Sequence, residues 1–151
     1  MDIIVAGCGR VGANLATRLA NDGHNVSVID RDPAAFARLG SGFNGITVKG
    51  IAFDQDVLRL AGIERCDVFA AVTDSDNANL MAAEVAEHIF GVDRTVARLY
   101  DPERESTYKQ LGIEFVDSTA LAVESLNEIV QSKHDRFVNP RLNILEKLIS
   151  S

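Results

Sequence analysis

Apolar and polar positions along the chain fall into two alternating kinds of stretch. Short, nearly unbroken apolar runs occur at Ile3-Ile4-Val5-Ala6, Val26-Ser27-Val28-Ile29, Ile46-Thr47-Val48 and Asp67-Val68-Phe69-Ala70-Ala71-Val72. Two more follow at Thr95-Val96-Ala97-Arg98-Leu99-Tyr100 and Glu114-Phe115-Val116-Asp117. The run Ile3 to Ala6, without polar alternation, predicts a strand buried on both faces, and the run to Val72, apolar throughout, a central strand. Between these runs the apolar residues take helical spacing: Leu15, Ala16 and Leu19, then Phe36 and Leu39. The pattern continues with Val57, Leu58, Ala61 and Ile63, and then Leu80, Ala83, Val85 and Ile89 between Ala78 and Phe90. A polar helix is expected from Pro102 to Gly112, and a longer one, capped by Thr119, to about His134. Asp32-Pro33 and Asp54 read as helix starts, Gly23 and Gly91 as helix stops.

Strands alternating with helices predict an α/β chain with a parallel, doubly wound sheet. Right-handed crossovers then give a Rossmann-like six-stranded order of 3-2-1-4-5-6, with helices on both faces. The tail differs. Phe137-Val138-Asn139-Pro140 breaks the pattern, and Leu142, Ile144, Leu145, Leu148 and Ile149 predict a C-terminal extension helix. We therefore expect a nucleotide-binding domain over 1–135 and a linker or extension helix over 136–151. That last helix either folds back on its own sheet, or packs on another copy or a further domain.

Ligands of open parallel sheets bind outside the carboxyl ends of the strands, where the strand order reverses. Gly7, Gly9 and Gly12 lie there in a G-x-G-x-x-G turn between the first strand and first helix, and Asp30 closes the second strand. The chemistry is specific: Gly7 allows the tight turn, Gly9 a close approach of pyrophosphate to the backbone, and Gly12 helix-on-strand packing. Backbone N–H groups of Cys8, Gly9, Arg10, Val11 and Gly12 are expected to hold phosphates at the helix start. Arg10 either reaches a phosphate or is solvated. Asp30 is expected to accept from ribose hydroxyls, favouring NAD(H) over NADP(H), although Arg31 can accommodate a 2′-phosphate. Losing the Asp30 carboxylate should cost ~1.5–3 kcal/mol of binding and scarcely alter the empty fold. Gly50 and Thr73 lie at the same ends. Arg98, costly in a strand unless paired, is expected to meet a phosphate or an acid such as Asp74. Asp74 and Asp76 serve equally well as helix caps.

Composition narrows the class. The chain has 151 residues, 46% hydrophobic and 25% charged, which suits one soluble domain. A net charge of −7 argues against nucleic acid as the main partner. No apolar run approaches the ~20 residues of a membrane span, and no signal peptide is apparent. Cys8 and Cys66 are too few for a disulfide framework and fit a cytoplasmic, reduced chain. Cys8 reads as a small filler in the glycine turn, with a redox sensor as the sharper alternative. His24, His88 and His134 have no metal-ligand spacing.

With these residues placed, the chain resembles the potassium-transport regulatory domain family known as KTN, RCK or TrkA-N, over essentially residues 1–135. The resemblance rests on Gly7-Cys8-Gly9-Arg10-Val11-Gly12, Gly23-His24, Val28-Ile29-Asp30-Arg31-Asp32 and Gly50 with Asp54 and Leu58. Ala61-Gly62-Ile63 before Asp67, Thr73-Asp74-Ser75-Asp76-Asn77 with Asn79, Ala97-Arg98 and Gly112-Ile113 complete it. Ile51 stands where the family commonly has an acid near the adenine, and a Pro frequent near Ser118 is absent. The family's usual C-terminal ligand-binding domain is not in the sequence; a chain shortened after its linker helix and a natural single-domain subunit are the two readings.

The resemblance implies a cytoplasmic nucleotide-sensing regulator that gates a potassium channel or transporter through a ligand-dependent change in its oligomer. The implied partners are a membrane-embedded potassium transporter or channel subunit and further copies of the chain, as a dimer or larger ring. Its implied place is peripheral, on the inner face of the plasma membrane, through that partner and without direct insertion. The implied cofactor is NAD(H), with ATP, ADP or AMP as the close alternative. The implied cofactor-binding set is Gly7, Cys8, Gly9, Arg10, Val11, Gly12, Asp30, Arg31, Gly50, Ile51, Ala52, Thr73, Asp74, Asn77 and Arg98. A regulatory module of another cation transporter or antiporter is the alternative, and a small NAD-dependent oxidoreductase a weaker one. We expect no enzyme: Tyr100 and Tyr108 lack a Lys four residues on, and no P-loop is present.

Overall fold

The computed structural model describes residues 1–132 and 148–150. Six strands form one parallel sheet: β1 Asp2–Ala6, β2 Asn25–Asp30, β3 Ile46–Lys49, β4 Val68–Ala71, β5 Arg94–Leu99 and β6 Glu114–Asp117. Their order is 3-2-1-4-5-6, as the alternation of runs predicts, and the fold is Rossmann-like. β1 is central: Ile4 pairs with Ser27 of β2 on one side and with Phe69 of β4 on the other.

Because side chains alternate along a strand, one apolar run supplies two cores. On one face Ile3, Val5, Val28 and Ala70 pack with Ala13 and Ala16 of helix α1 (Arg10–Asn21), and with Ala35 and Leu39. Those last two lie on a 3-10 helix, Pro33–Leu39, capped by the Asp32 carboxylate. The opposite face buries Ile4, Ala6, Ile29, Phe69 and Ala97. Against it lie helices α2 (Gln55–Leu60), α3 (Asp76–Glu84) and α4 (Glu105–Gln110), with Leu58, Ala82, Ala83 and Tyr108 in contact. Helices on both faces follow from that alternation. Asp54 caps α2, accepting from the N–H of Asp56 and Val57 at 2.9 and 3.1 Å.

Three local expectations change. The helix expected to Phe90 ends at Glu84 and continues as a π turn, Val85–Ile89. The looser turn shifts the facing positions, so Ala86 is buried and Ile89 is exposed. Thr119 does not cap the last helix, because α5 (Ser118–Gln131) begins one residue earlier. The Thr119 hydroxyl instead donates to the Tyr100 carbonyl at 2.6 Å. Ser75, rather than Asp74 or Asp76, caps α3 by accepting from the Ala78 N–H at 3.2 Å.

The chain divides into two compact units, Met1–Thr119 and Ala120–Ser151. Within the second, Leu121, Val123, Leu126, Ile129 and Val130 of α5 are exposed. The expected boundary at 135/136, and all of the expected extension helix except residues 148–150, lie outside the described residues. No helix among the described residues is long and apolar enough to cross a membrane.

Candidate functional site

The glycine turn leaves β1 at Gly7, with φ of +108°, and enters α1 at Arg10. Its first peptide groups are held inside the protein. The Gly7 N–H donates to the Ile29 carbonyl at 2.7 Å, and the Cys8 N–H to Asp30 Oδ2 at 2.8 Å. The next four N–H groups, of Gly9 to Gly12, find no acceptor among the described residues. A Cβ built on Gly9 meets nothing within 4 Å, whereas one on Gly12 would stand 1.8 Å from the Gly7 carbonyl oxygen. The turn is closed behind, at Gly12, and open in front, at Gly9. Four orphan donors at a helix N-terminus beside open space suit a phosphate. Cys8 is the exception to the expected cradle, because its N–H is already taken.

Asp30 has a second task that its place in the sequence does not reveal. Oδ2 binds the Cys8 N–H, and Oδ1 accepts from the Asp32 N–H at 2.8 Å. The carboxylate therefore splints the glycine turn to the end of β2 and leaves only its remaining lone pairs for a ligand. This revises the expected silence of an Asp30 substitution in the empty protein. Asp30→Ala should lower stability by ~1–3 kcal/mol, since a part-buried N–H loses its acceptor. It should also weaken nucleotide binding at least tenfold, which denaturant melts and calorimetry on the same sample will separate.

Cys8 is fully buried, and its thiol donates to the Ala35 carbonyl at 3.4 Å. Burial, then the Asp30 charge, push the thiol pKa up, with Arg38 pulling the other way. A buried, protonated thiol is a filler and a poor redox sensor.

Two adjoining clefts open at the carboxyl ends of the strands. One, of about 370 Å³, is lined by Gly50, Ile51, Ala52, Asn77 and Met81 beside Asp30. The other, of about 570 Å³, is lined by Gly9, Arg10, Val11, Arg38 and Arg98. Gly7, Asp30, Arg31, Thr73 and Asp74 belong to both. The sequence-predicted residues therefore come together, with Cys8 and Gly12 buried behind the wall. The first cleft is apolar on the side of Ile51, Phe53 and Met81, which suits a flat base. Gly50 serves packing: a Cβ there would stand 2.4 Å from a Val57 methyl. A third cavity, of about 350 Å³, lies at the opposite, amino ends of β1 and β2, away from the orphan donors.

The floor between the clefts is held by Asn79, which is fully buried. Its Oδ1 accepts from the Thr73 N–H at 2.8 Å and the Thr73 hydroxyl at 2.7 Å. Its Nδ2 donates to the carbonyls of Thr73 and Arg98 at 3.1 and 3.0 Å. One side chain thus ties the end of β4 to the end of β5. Asp76 closes the same edge by accepting from the N–H of Tyr100 and Asp101 at 2.7 and 2.8 Å. The Tyr108 hydroxyl donates to the Asp76 carbonyl at 2.8 Å, and burial pushes its pKa up to about 12. Asn77 accepts from the Arg104 guanidinium.

Arg98 does not pair with Asp74. Its Nε donates to the Ser118 hydroxyl at 3.2 Å, and its guanidinium lies 5.2 Å from the centre of the Tyr100 ring. That contact stabilises a half-buried cation by its ring quadrupole and leaves other N–H donors for the cleft it lines. Sequence reading missed Met81, one helical turn beyond Asn77, for which an i, i+4 projection is the available signal. It also missed Arg38, which no motif marks. No cluster of three or more potential metal ligands occurs among the described residues.

An open parallel sheet with a glycine turn, an orphaned helix N-terminus and an acid at the switch point defines a Rossmann-like α/β domain. More narrowly, the chain belongs to the TrkA-N domain family, whose pattern matches residues 3–119. It is 57% identical over 113 residues to the Trk system potassium uptake protein TrkA of Streptomyces coelicolor, covering 75% of this chain and 51% of that one. It is 32% identical over 118 residues to a TrkA homolog of Methanothermobacter thermautotrophicus, covering 78% of this chain and 54% of that one. Among solved structures, the GsuK channel bound to NAD superposes with a TM-score of 0.77 at 25% identity, covering 91% of this chain and 24% of that one. The chain thus spans about half the length of those two relatives.

Proposed function

We propose that this chain is the nucleotide-sensing domain of a regulatory subunit of potassium uptake. The observation that carries the reading is the paired cleft at the switch point. There, the N–H groups of Gly9 to Gly12 have no acceptor among the described residues and the turn is open at Gly9, beside Asp30, in a TrkA-N domain. NAD(H) is the ligand we favour, because the cleft joins an apolar wall, a ribose-side carboxylate and an anion cradle. Support comes from the similarity to a channel solved with NAD. ATP, ADP or AMP share the adenine, ribose and phosphate that these groups recognise, and are the competing ligands. Phosphates would rest on the N–H groups of Gly9 to Gly12, with Arg10 and Arg98 supplying charge. A ribose would meet Asp30, and a base would lie against Ile51 and Met81.

The chain's role in this reading is binding without turnover. In support, the Thr73 hydroxyl at the floor is already engaged, donating to Asn79 Oδ1 at 2.7 Å. Two ligands of one site act as opposing signals only as far as each prefers one arrangement of the assembly. The assembly we propose is a dimer or larger ring on the cytoplasmic side of a membrane-embedded potassium subunit. The exposed apolar residues of α5 are a surface such an assembly would cover.

The test is co-purification with a membrane potassium-uptake subunit in the presence and absence of NADH, alongside an NADH-oxidation assay. Nucleotide-dependent capture without turnover supports the reading. Capture by an antiporter subunit instead, or steady NADH oxidation with a small carbonyl, overturns it.

A further inference from the structure

The acid at the end of β2 ordinarily excludes a phosphate on the ribose 2′ position, yet here it does not stand alone. Asp30 and Arg38 grip the same residue from its two peptide groups. Asp30 Oδ2 takes the Cys8 N–H at 2.8 Å, and Arg38 Nη1 donates to the Cys8 carbonyl at 3.4 Å. The Arg38 guanidinium and the Asp30 carboxylate therefore meet the same residue, and both line the phosphate-side cleft. Arg31 follows Asp30 directly and lines both clefts. Neither arginine forms an ion pair among the described residues. The Asp30 charge, in turn, is partly answered by the two backbone N–H groups it already holds.

We propose that Arg31 and Arg38 form a cationic rim beside Asp30 that admits a nucleotide carrying a phosphate on its ribose 2′ oxygen, so that the site takes NADP(H) as well as NAD(H). A phosphomonoester offers three acceptor oxygens, and a guanidinium offers a planar fork of donors that matches two of them. Two such forks outweigh one carboxylate whose oxygens are already engaged. Arg38 is then a specificity residue: its bond to the Cys8 carbonyl sets where the fork points. This inference rests on the reading of the clefts as a nucleotide site, and adds to it the class of nucleotide.

The experiment titrates the chain with NADH and NADPH by nicotinamide fluorescence, and with 5′-AMP and 2′-AMP by calorimetry. Wild type, Arg38→Ala and Arg31→Ala are compared, with melts to establish that each variant is folded. We expect wild type to bind NADPH within about tenfold of NADH. Each variant should lose about tenfold or more in NADPH affinity relative to its own NADH affinity, the loss for one hydrogen bond to a charged group. Binding of NADH with no NADPH binding in wild type overturns the proposal and leaves the nucleotide site standing. An equal loss of both ligands in Arg38→Ala and Arg31→Ala also overturns it, reducing Arg38 to a clamp on the turn. If neither ligand binds, the nucleotide reading itself fails, and this proposal with it.

Discussion

Gly12→Ala should lower the melting midpoint by roughly 10 °C and abolish tight nucleotide binding together. The added Cβ would stand 1.8 Å from the Gly7 carbonyl oxygen and 2.8 Å from its carbon, with a Val72 methyl at 3.2 Å. The first two neighbours are backbone at the end of a central strand, so no rotamer relieves the clash. Helix α1 must move away from β1, which strains one core and displaces the four N–H donors. Overpacking of this kind costs ~1–3 kcal/mol and more where backbone cannot yield, and a domain of this size loses about 2–4 °C per kcal/mol. Gly9→Ala is the control, because its Cβ meets nothing within 4 Å. That variant should melt near wild type yet bind nucleotide less well. A Gly12→Ala protein that melts within about 2 °C of wild type would refute the packing argument.

Asn79→Ala should cost ~3–5 kcal/mol in denaturant unfolding, at the upper end for a single substitution. The side chain is fully buried and makes four hydrogen bonds to Thr73 and to the Arg98 carbonyl. Truncation leaves the Thr73 N–H and hydroxyl without that acceptor, and the carbonyls of Thr73 and Arg98 without that donor. Each orphan is worth about 1–3 kcal/mol when water cannot replace the partner. Asn79→Asp keeps the acceptor and loses the donor while burying a charge, so it should be no milder. A cost below about 1 kcal/mol would mean that water fills the site and that Asn79 does not hold the two strands together.

These two residues also show what the sequence discloses and what it conceals. The glycine turn, the strand order, Asp30 and the Asp54 cap were legible because each depends on neighbours in sequence or on period. Apolar runs set the strands, spacing set the helices, and crossover handedness set the order. Asn79 was visible as part of a motif, but its work was not: its partners, Thr73 and Arg98, meet only because α3 lies over β4 and β5. Arg98 was expected to meet a phosphate or an acid such as Asp74, because an unpaired cation in a strand is costly. The register of β6 beside β5 instead brings the start of α5, at Ser118, to its side. The second role of Asp30 was hidden for the same reason, since its contact with Cys8 spans 22 positions. The π turn after Glu84 breaks the 3.6-residue period that groups Ile89 with Leu80 and Ala83. Local chemistry is thus readable from the chain, while pairings made by sheet register are not.

The central claim is that the paired cleft binds a nucleotide, and isothermal calorimetry with NADH on the purified chain, repeated with NAD⁺, ATP, ADP and AMP, tests it most directly. Saturable heat with a single site per chain is expected for NADH. Stabilisation of ~2.7 kcal/mol is expected at a hundred times the dissociation constant, and less in Asp30→Ala at that same NADH concentration. Absence of saturable heat and of any thermal shift across all five nucleotides would contradict it and leave the glycine turn as scaffold alone.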